Sequence, residues 1–335
     1  MNDFRALRVQ KGDDGAFSRS VQTLGTDILG PSTLPPGDLT VKVAYSSLNY
    51  KDALSATGNP GVTKTYPHTP GIDAAGTVLE SSDDRFGVGD EVIVTSYDLG
   101  MNTPGGFGEL IRVPADWAVP LPAGLTLREA MVLGTAGLTA GLCLDALLAH
   151  GLEPGQGPAV VTGASGGVGS VAVALLAHLG FETLASTGTE AAYSWLRELG
   201  AADTLPRSEL SKPSEKPMHK ARFAGAIDTV GGEVLTNVVK SLKYRAAAAA
   251  CGLVAGSGLS LTVFPFILRG VSLLGIDSAE CPMALRRRVW EMLAGDWKVD
   301  LSAATREVTL DELSSVIDEI LQGQTQGRVL VRVGG

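Results

Sequence analysis

Residues 160–170, which read Val-Val-Thr-Gly-Ala-Ser-Gly-Gly-Val-Gly-Ser and lead into the apolar run Val171 to Leu179, constrain this chain more than any other stretch. They predict a short buried strand, a glycine turn and a helix. Gly163, Gly166 and Gly169 stand three apart. That spacing lets the turn tighten, lets a phosphate approach the backbone and lets the helix pack on its strand, while the helix N-terminus offers N–H groups to an anion. The pyrophosphate of a dinucleotide is the expected guest. The pattern is GxxGxxG and not GxGxxG, so a strand–helix turn without a ligand competes with it, and the rest of the chain must decide.

With 335 residues, 44% hydrophobic and 19% charged, the chain has material for about two domains with sizeable cores. A net charge of −9 leaves no basic excess to displace phosphate counterions, which argues against nucleic acid as a partner. Cys143, Cys251 and Cys281 are far apart and odd in number. They suit a reducing compartment, so cytoplasm is the expectation, and they supply neither a disulfide framework nor a zinc pattern. The start, Met1 to Ala6, lacks the apolar core of a signal peptide. Ala246 to Leu268 carries no charge over 23 residues, but Gly252, Gly256, Gly258 and Pro265 break it into a strand, a loop and a short helix rather than a membrane span. Met131 to Ala149, interrupted by Asp145, fits a buried helix.

Before the glycine turn, short apolar runs at Leu39–Val43, Ala75–Leu79, Asp90–Val94 and Glu109–Val113 alternate with Gly, Pro, Asp and Ser breaks, the mark of an irregular β-rich domain. A polar segment, Ser46 to Asp52, lies between them. Pro120 to Gly124 is the expected boundary, after which Thr126 and Glu129 cap a helix running to about His150. Beyond the turn, strands at Glu182–Ser186, Ala224–Val230, Ala246–Gly252 and Val271–Ile276 alternate with helices at Glu190–Leu199 and Glu233–Leu242, followed by a helix at Met283–Ala294. The alternation predicts an α/β fold with a doubly wound parallel sheet over 127–296. A strand at Val329–Val333 returns to the first domain and makes it discontinuous, 1–126 plus 297–335.

Three nucleotide-binding families share such a turn. A triphosphate loop needs Lys after the last glycine, where Ser170 stands. Short-chain dehydrogenases need Tyr-x-x-x-Lys, and no tyrosine at 45, 50, 66, 97, 193 or 244 has lysine four residues on. The remaining landmarks are Ser46-Ser47-Leu48-Asn49-Tyr50-Lys51-Asp52, Pro70-Gly71-Ile72-Asp73, Gly134-Thr135-Ala136-Gly137, Gly225 to Gly231, Cys251-Gly252-Leu253, Pro265-Phe266-Ile267-Leu268-Arg269 and Gln326-Gly327-Arg328. Together they resemble, along the whole chain, the zinc-independent medium-chain dehydrogenases/reductases, within them the acrylyl-coenzyme A reductase and quinone oxidoreductase-like group. The zinc-dependent branch carries an early cysteine and Gly-His-Glu. Here no cysteine precedes Cys143, Gly71-Ile72-Asp73 replaces Gly-His-Glu, and only His68, His150, His178 and His219 occur, so no metal site is expected.

The resemblance implies a Rossmann domain, a GroES-like catalytic domain, a homodimer through the edge near Val271–Ile276, and reduction of the double bond of an acrylyl-CoA-like enoyl thioester to propanoyl-CoA. A quinone or enone reductase is the same-fold rival, and a non-catalytic NADPH-binding protein the rival of another class. For the cofactor, the strand end Ala185 to Thr189 has hydroxyls where an NAD enzyme places a carboxylate, which favours NADPH. Relatives carry an arginine where Thr189 stands, Arg207 is placed to supply that charge, and Glu190 is the contrary sign. By resemblance the cofactor residues are Tyr50, Thr135, Ser165, Gly166, Gly167, Val168, Ser186, Thr187, Gly188, Arg207, Gly252, Leu253, Ile267, Ser278 and Arg328. Tyr50 is the first catalytic candidate, with three roles open: binding cofactor, binding the thioester oxygen, or passing a proton to the α-carbon. Asn49 is a candidate carbonyl donor and Asp52 a group orienting Lys51 or Tyr50. Asp73 either shapes the pocket floor or fixes a turn. Lys64 is a candidate for coenzyme A phosphates, whereas Arg286-Arg287-Arg288 reads as a solvated helix face.

Overall fold

The computed structural model describes residues 3–334. In chain order the first elements are β1 (Asp3–Lys11), β2 (Phe17–Gly25), β3 (Asp38–Leu48), α1 (Tyr50–Ser55), β4 (Asp73–Ser81), β5 (Glu91–Thr95), β6 (Leu110–Pro114), β7 (Ala118–Pro120) and α2 (Leu127–Ala149). Then come β8 (Ala159–Thr162), α3 (Gly167–His178), β9 (Thr183–Thr187), α4 (Tyr193–Glu198), β10 (Asp203–Pro206), α5 (Arg207–Leu210), β11 (Phe223–Asp228), α6 (Gly232–Lys240), β12 (Leu242–Ala250), α7 (Phe264–Arg269), β13 (Ser272–Gly275), α8 (Met283–Ala294), β14 (Thr305–Thr309), α9 (Leu313–Leu321) and β15 (Arg328–Arg332). They form two compact units. One holds the chain up to Thr135, Ala279–Ala294 and the chain from Thr305 on; the other holds Ala136–Ser278 and Gly295–Ala304.

In the first unit a sheet runs β14-β15-β3-β4-β5-β7, with β6 paired to the near end of β3 and β1-β2 forming a separate hairpin. The expected return strand is β15, antiparallel to β3 with Val329 opposite Leu48. Alternating apolar residues of these strands, among them Val41, Val43, Val92, Val94, Val329 and Val331, meet Phe107 and the apolar face of α9 in one core. The β1-β2 hairpin and the β14-α9 pair carried no strong sequence signal.

The second unit is a parallel sheet in the order β10-β9-β8-β11-β12-β13. The order reverses between β8 and β11, and ligands of such folds lie beyond the strand ends at that reversal. The glycine-turn helix α3 is buried along Gly169–Leu176, which accounts for its nearly uniform apolar sequence. The uncharged stretch after Arg245 is strand, loop and short helix, as its glycines require. α2 is long and apolar enough to span a bilayer by length and composition, yet 78% of that window is buried inside the fold.

Two readings need correction. The units divide at Thr135 rather than near 126, because α2, although it starts with the expected Thr126–Glu129 capping box, breaks at Gly134, where φ is 52° and ψ −154°. The Arg286-Arg287-Arg288 run is not a solvated face. Helical period places Arg286 with Val289, Trp290 and Leu293 on the buried side. Its guanidinium donates to the Thr95 carbonyl at 2.9 Å, the Thr95 hydroxyl at 2.8 Å and the Ala279 carbonyl at 3.0 Å, and lies 4.4 Å from the Tyr97 ring centre. These bonds tie α8 into the first unit.

Candidate active site

In the first unit the site residues gather around one carboxylate. β3 ends at Leu48, and Asn49 caps the short helix that starts with Tyr50. Asp73 opens β4 and is fully buried. Its Oδ2 accepts from the Ser47 hydroxyl at 2.5 Å and the Asn49 side-chain amide at 2.7 Å. Its two oxygens accept the Thr135 N–H at 2.9 and 3.0 Å, and Oδ1 accepts the Thr135 hydroxyl at 2.5 Å. Asp73 thereby caps the helical segment that resumes after Gly134, satisfying a first-turn N–H. A side chain at Gly134 would collide with Ser47 Oγ and Asp73 Oδ2, and its positive φ is one only glycine holds without strain. Asp73 is thus neither the floor of an open pocket nor a lone turn former.

Asp52 is also fully buried. Its carboxylate accepts the Asn49 N–H and the Ile72 N–H, each at 2.8 Å. Asp52 therefore fastens α1 to the start of β4 instead of orienting Lys51 or Tyr50. Burial, then the neighbouring Asp73 charge, push its pKa up to about 7. Arg328 supplies the opposing charge: fully buried, it donates from Nε to the Val132 carbonyl at 2.8 Å and has Nη1 3.5 Å from Asn49 Oδ1. Burial lowers its pKa, while the Asp73 and Asp52 charges oppose the shift. At 2% exposure Arg328 has no surface to offer a cofactor, contrary to expectation. The Asn49 side-chain amide points at Asp73, Asp52 Oδ2 and the Ser47 carbonyl. Its two hydrogens are used within this cluster, which removes the expected donation to a substrate carbonyl. Tyr50, by contrast, is 47% exposed. Lys64 is exposed on the loop after α1.

In the second unit the glycine turn is built as the spacing predicts. Gly163 has φ 62°, and a Cβ there would overlap the Thr229 hydroxyl; one at Gly169 would overlap the Gly163 carbonyl. These two glycines serve the close fit of turn, strand and helix. Gly166, in front of α3, faces open space apart from the Gly163 carbonyl oxygen. Gly166, Gly167 and Val168 are partly exposed, and the amides of the first turn have no intrahelical acceptor. The buried Asp228 accepts the Thr162 hydroxyl at 2.6 Å and the Gly231 N–H at 2.7 Å, tying the ends of β8 and β11 together; burial raises its pKa.

The end of β9 differs from expectation. Ser186 is 1% exposed with its hydroxyl buried, and Thr187, 3% exposed, shares its hydroxyl with Ser165 at 2.8 Å and the Thr189 N–H at 3.2 Å. Both are buried at the strand end, and the Ser186 hydroxyl has no hydrogen-bond partner among the described residues. What stands exposed is Gly188 together with Arg207. β10, which the sequence reading missed, pairs Pro206 with Thr187, and this register lays the Arg207 guanidinium on Gly188 where a side chain would clash. Among the described residues Arg207 has no ion-pair partner. Further along, a Cβ at Gly252 would overlap the Thr229 carbonyl, Leu253 and Ile267 are strongly exposed, and Ser278 accepts the Thr139 hydroxyl at 2.7 Å.

Comparison with known proteins matches this geometry. Residues 35–123 fit the family described as alcohol dehydrogenase GroES-like domain, and residues 167–295 the family described as zinc-binding dehydrogenase. The acrylyl-CoA reductase AcuI of Ruegeria pomeroyi is 48% identical over 332 residues, covering 98% of this chain and 99% of its own. The chain belongs to the medium-chain dehydrogenase/reductase family. The yhdH oxidoreductase of Salmonella enterica, solved in complex with NADP, is 47% identical with a TM-score of 0.93, over 98% of this chain and 100% of its own. The yhfP protein of Bacillus subtilis, solved with NAD bound, is 45% identical with a TM-score of 0.94, over 99% of this chain and 100% of its own; it also carries the name quinone oxidoreductase. Among the described residues no three His, Cys, Asp or Glu side chains come together as a metal-ligand set.

Proposed function

We propose that this chain reduces the double bond of an acrylyl-CoA-like enoyl thioester with NADPH, giving propanoyl-CoA. The observation that carries the reading is the 48% identity to an acrylyl-CoA reductase along nearly the whole of both chains. The open face at Gly166 before the first turn of α3, and the unpaired Arg207 on Gly188, fit the pyrophosphate and the 2′-phosphate. In this reading Gly166, Gly167, Val168, Gly188, Arg207, Gly252, Leu253, Ile267 and Ser278 hold the dinucleotide, and Thr135 is a further cofactor residue. When bound, NADPH supplies a hydride for the β-carbon. The hydroxyl of the exposed Tyr50 either holds the thioester oxygen or delivers the proton to the α-carbon; Asn49 and Asp52 hold the helix that carries it, and Lys64 meets coenzyme A phosphate. We place the enzyme in the cytoplasm, consistent with three free cysteines, and as a homodimer. The free edge of β13 and the exposed Val263 support the dimer.

A second reading, a quinone or enone reductase, is favoured by the name of the Bacillus relative and by the NAD in its crystal structure. Steady-state turnover of acrylyl-CoA and of a simple quinone, each with NADPH and NADH, separates the two. The expected result is the highest kcat/KM for acrylyl-CoA with NADPH. A strong quinone preference refutes the thioester assignment, and tight NADPH binding with no turnover of any activated alkene identifies a non-catalytic binding protein.

A further inference from the structure

We propose that Asp73 is a positioning residue: one buried carboxylate that holds the start of the Tyr50 helix and the restart of α2 at Thr135 in a fixed relation. Its consequence for turnover rests on the reading of Tyr50 and Thr135 given above.

Among the described residues every partner of this carboxylate is a donor: the Ser47 hydroxyl, the Asn49 amide, and the N–H and hydroxyl of Thr135. They come from two separate pieces of chain, Ser47–Asn49 and Thr135, 24 to 62 residues away in sequence. A carboxylate, with two oxygens and about four lone-pair directions, can accept from all of them at once. The link to Tyr50 is short. Asn49 is the residue before Tyr50 and caps its helix, so the Asn49–Asp73 bond fixes where that helix begins. A second bond, from Ile72 N–H on the β4 side to Asp52 on the helix, runs the opposite way. The helix is therefore clamped to β4 by reciprocal bonds one residue apart on the strand side. The same Asp73 oxygens cap the segment beginning at Thr135, and the Thr135 hydroxyl also meets the Ser96 hydroxyl at 2.9 Å. Gly134 leaves the space in which Ser47, Asp73 and the Arg328 guanidinium come together. The exposed tyrosine at one end and the partly exposed threonine at the other share one anchor, and loosening it moves both.

The test replaces Asp73 with Asn, which keeps the shape but turns an NH2 toward donors. The chain is labelled with 3-fluorotyrosine, and the Tyr50 signal among the six tyrosines is assigned by its loss in Tyr50→Phe. In Asp73→Asn the Tyr50 fluorine resonance is expected to shift and broaden or split. The kcat for acrylyl-CoA falls by about 10- to 100-fold, the scale of a misplaced reacting group. A purely structural role lowers the melting temperature but leaves resonance and kcat in place, and that result overturns the proposal. If Tyr50→Phe keeps full turnover while Asp73→Asn still moves the resonance, the assignment of Tyr50 to the chemistry fails and the positioning role stands. Should Asp73→Asn not fold, Ser47→Ala removes one donor and leaves the carboxylate; a smaller movement of the same resonance is expected, and none in a folded chain refutes the claim.

Discussion

Raising the pH across neutrality is expected to weaken the first unit through Asp52. Its carboxyl is fully buried beside Asp73, and its pKa rises from 3.8 to about 7. Between those two values the native chain holds a proton that the unfolded chain has released, so the contribution is stabilising in acid and fades as pH rises toward 7. One group with this shift contributes about 2–3 kcal/mol at about pH 5 and almost nothing at about pH 8. Asp52→Asn cannot titrate. Its amide also turns an NH2 toward the Asn49 or Ile72 N–H, which lowers stability at every pH by about 1–3 kcal/mol. The informative quantity is therefore the slope and not the level. Urea unfolding of both chains at the two pH values is expected to show the parent losing about 2–3 kcal/mol more than the variant. Parallel losses would refute a proton held by Asp52 in the folded state and leave Asp52 ionised by its three N–H donors.

Arg207→Ala is expected to raise KM for NADPH by about 10- to 100-fold, the worth of a charged hydrogen bond, while leaving KM for NADH nearly unchanged; equal effects on both would remove Arg207 from the 2′-phosphate. Gly134→Ala places a methyl against Ser47 and Asp73 at a φ of 52° and is expected to cost about 2–4 kcal/mol in thermal unfolding. Arg286→Ala strips buried bonds from the Thr95 and Ala279 carbonyls and is expected to cost about 2–4 kcal/mol.

What the sequence made legible was whatever repeats locally. Strand alternation, the three-apart glycines and the Thr126–Glu129 cap each depend on residues within a few positions of one another, and the sheet of the second unit follows from them. Side-chain pairing across the chain is of another kind. Arg286 reads as one of three surface arginines until Thr95, 191 residues away, is known to lie beneath it. The type of the strand-end residues Ser186 and Thr187 tells that no carboxylate stands there, but not that both lie buried. The guanidinium that does stand exposed is fixed by a strand too short, at four residues, to announce itself. Asp73 shows the same limit most sharply. Its place in Gly71-Ile72-Asp73 marks it as noteworthy, but its role lies in donors from β3, the loop before α1 and the break in α2. One signal was present all along: a glycine followed by a threonine in the midst of a long apolar helix. Gly is costly inside a helix and permissive at a break, so Gly134-Thr135 predicts a helix that stops and needs a new cap. Within the first unit the cap is the carboxylate that Gly-Ile-Asp supplies.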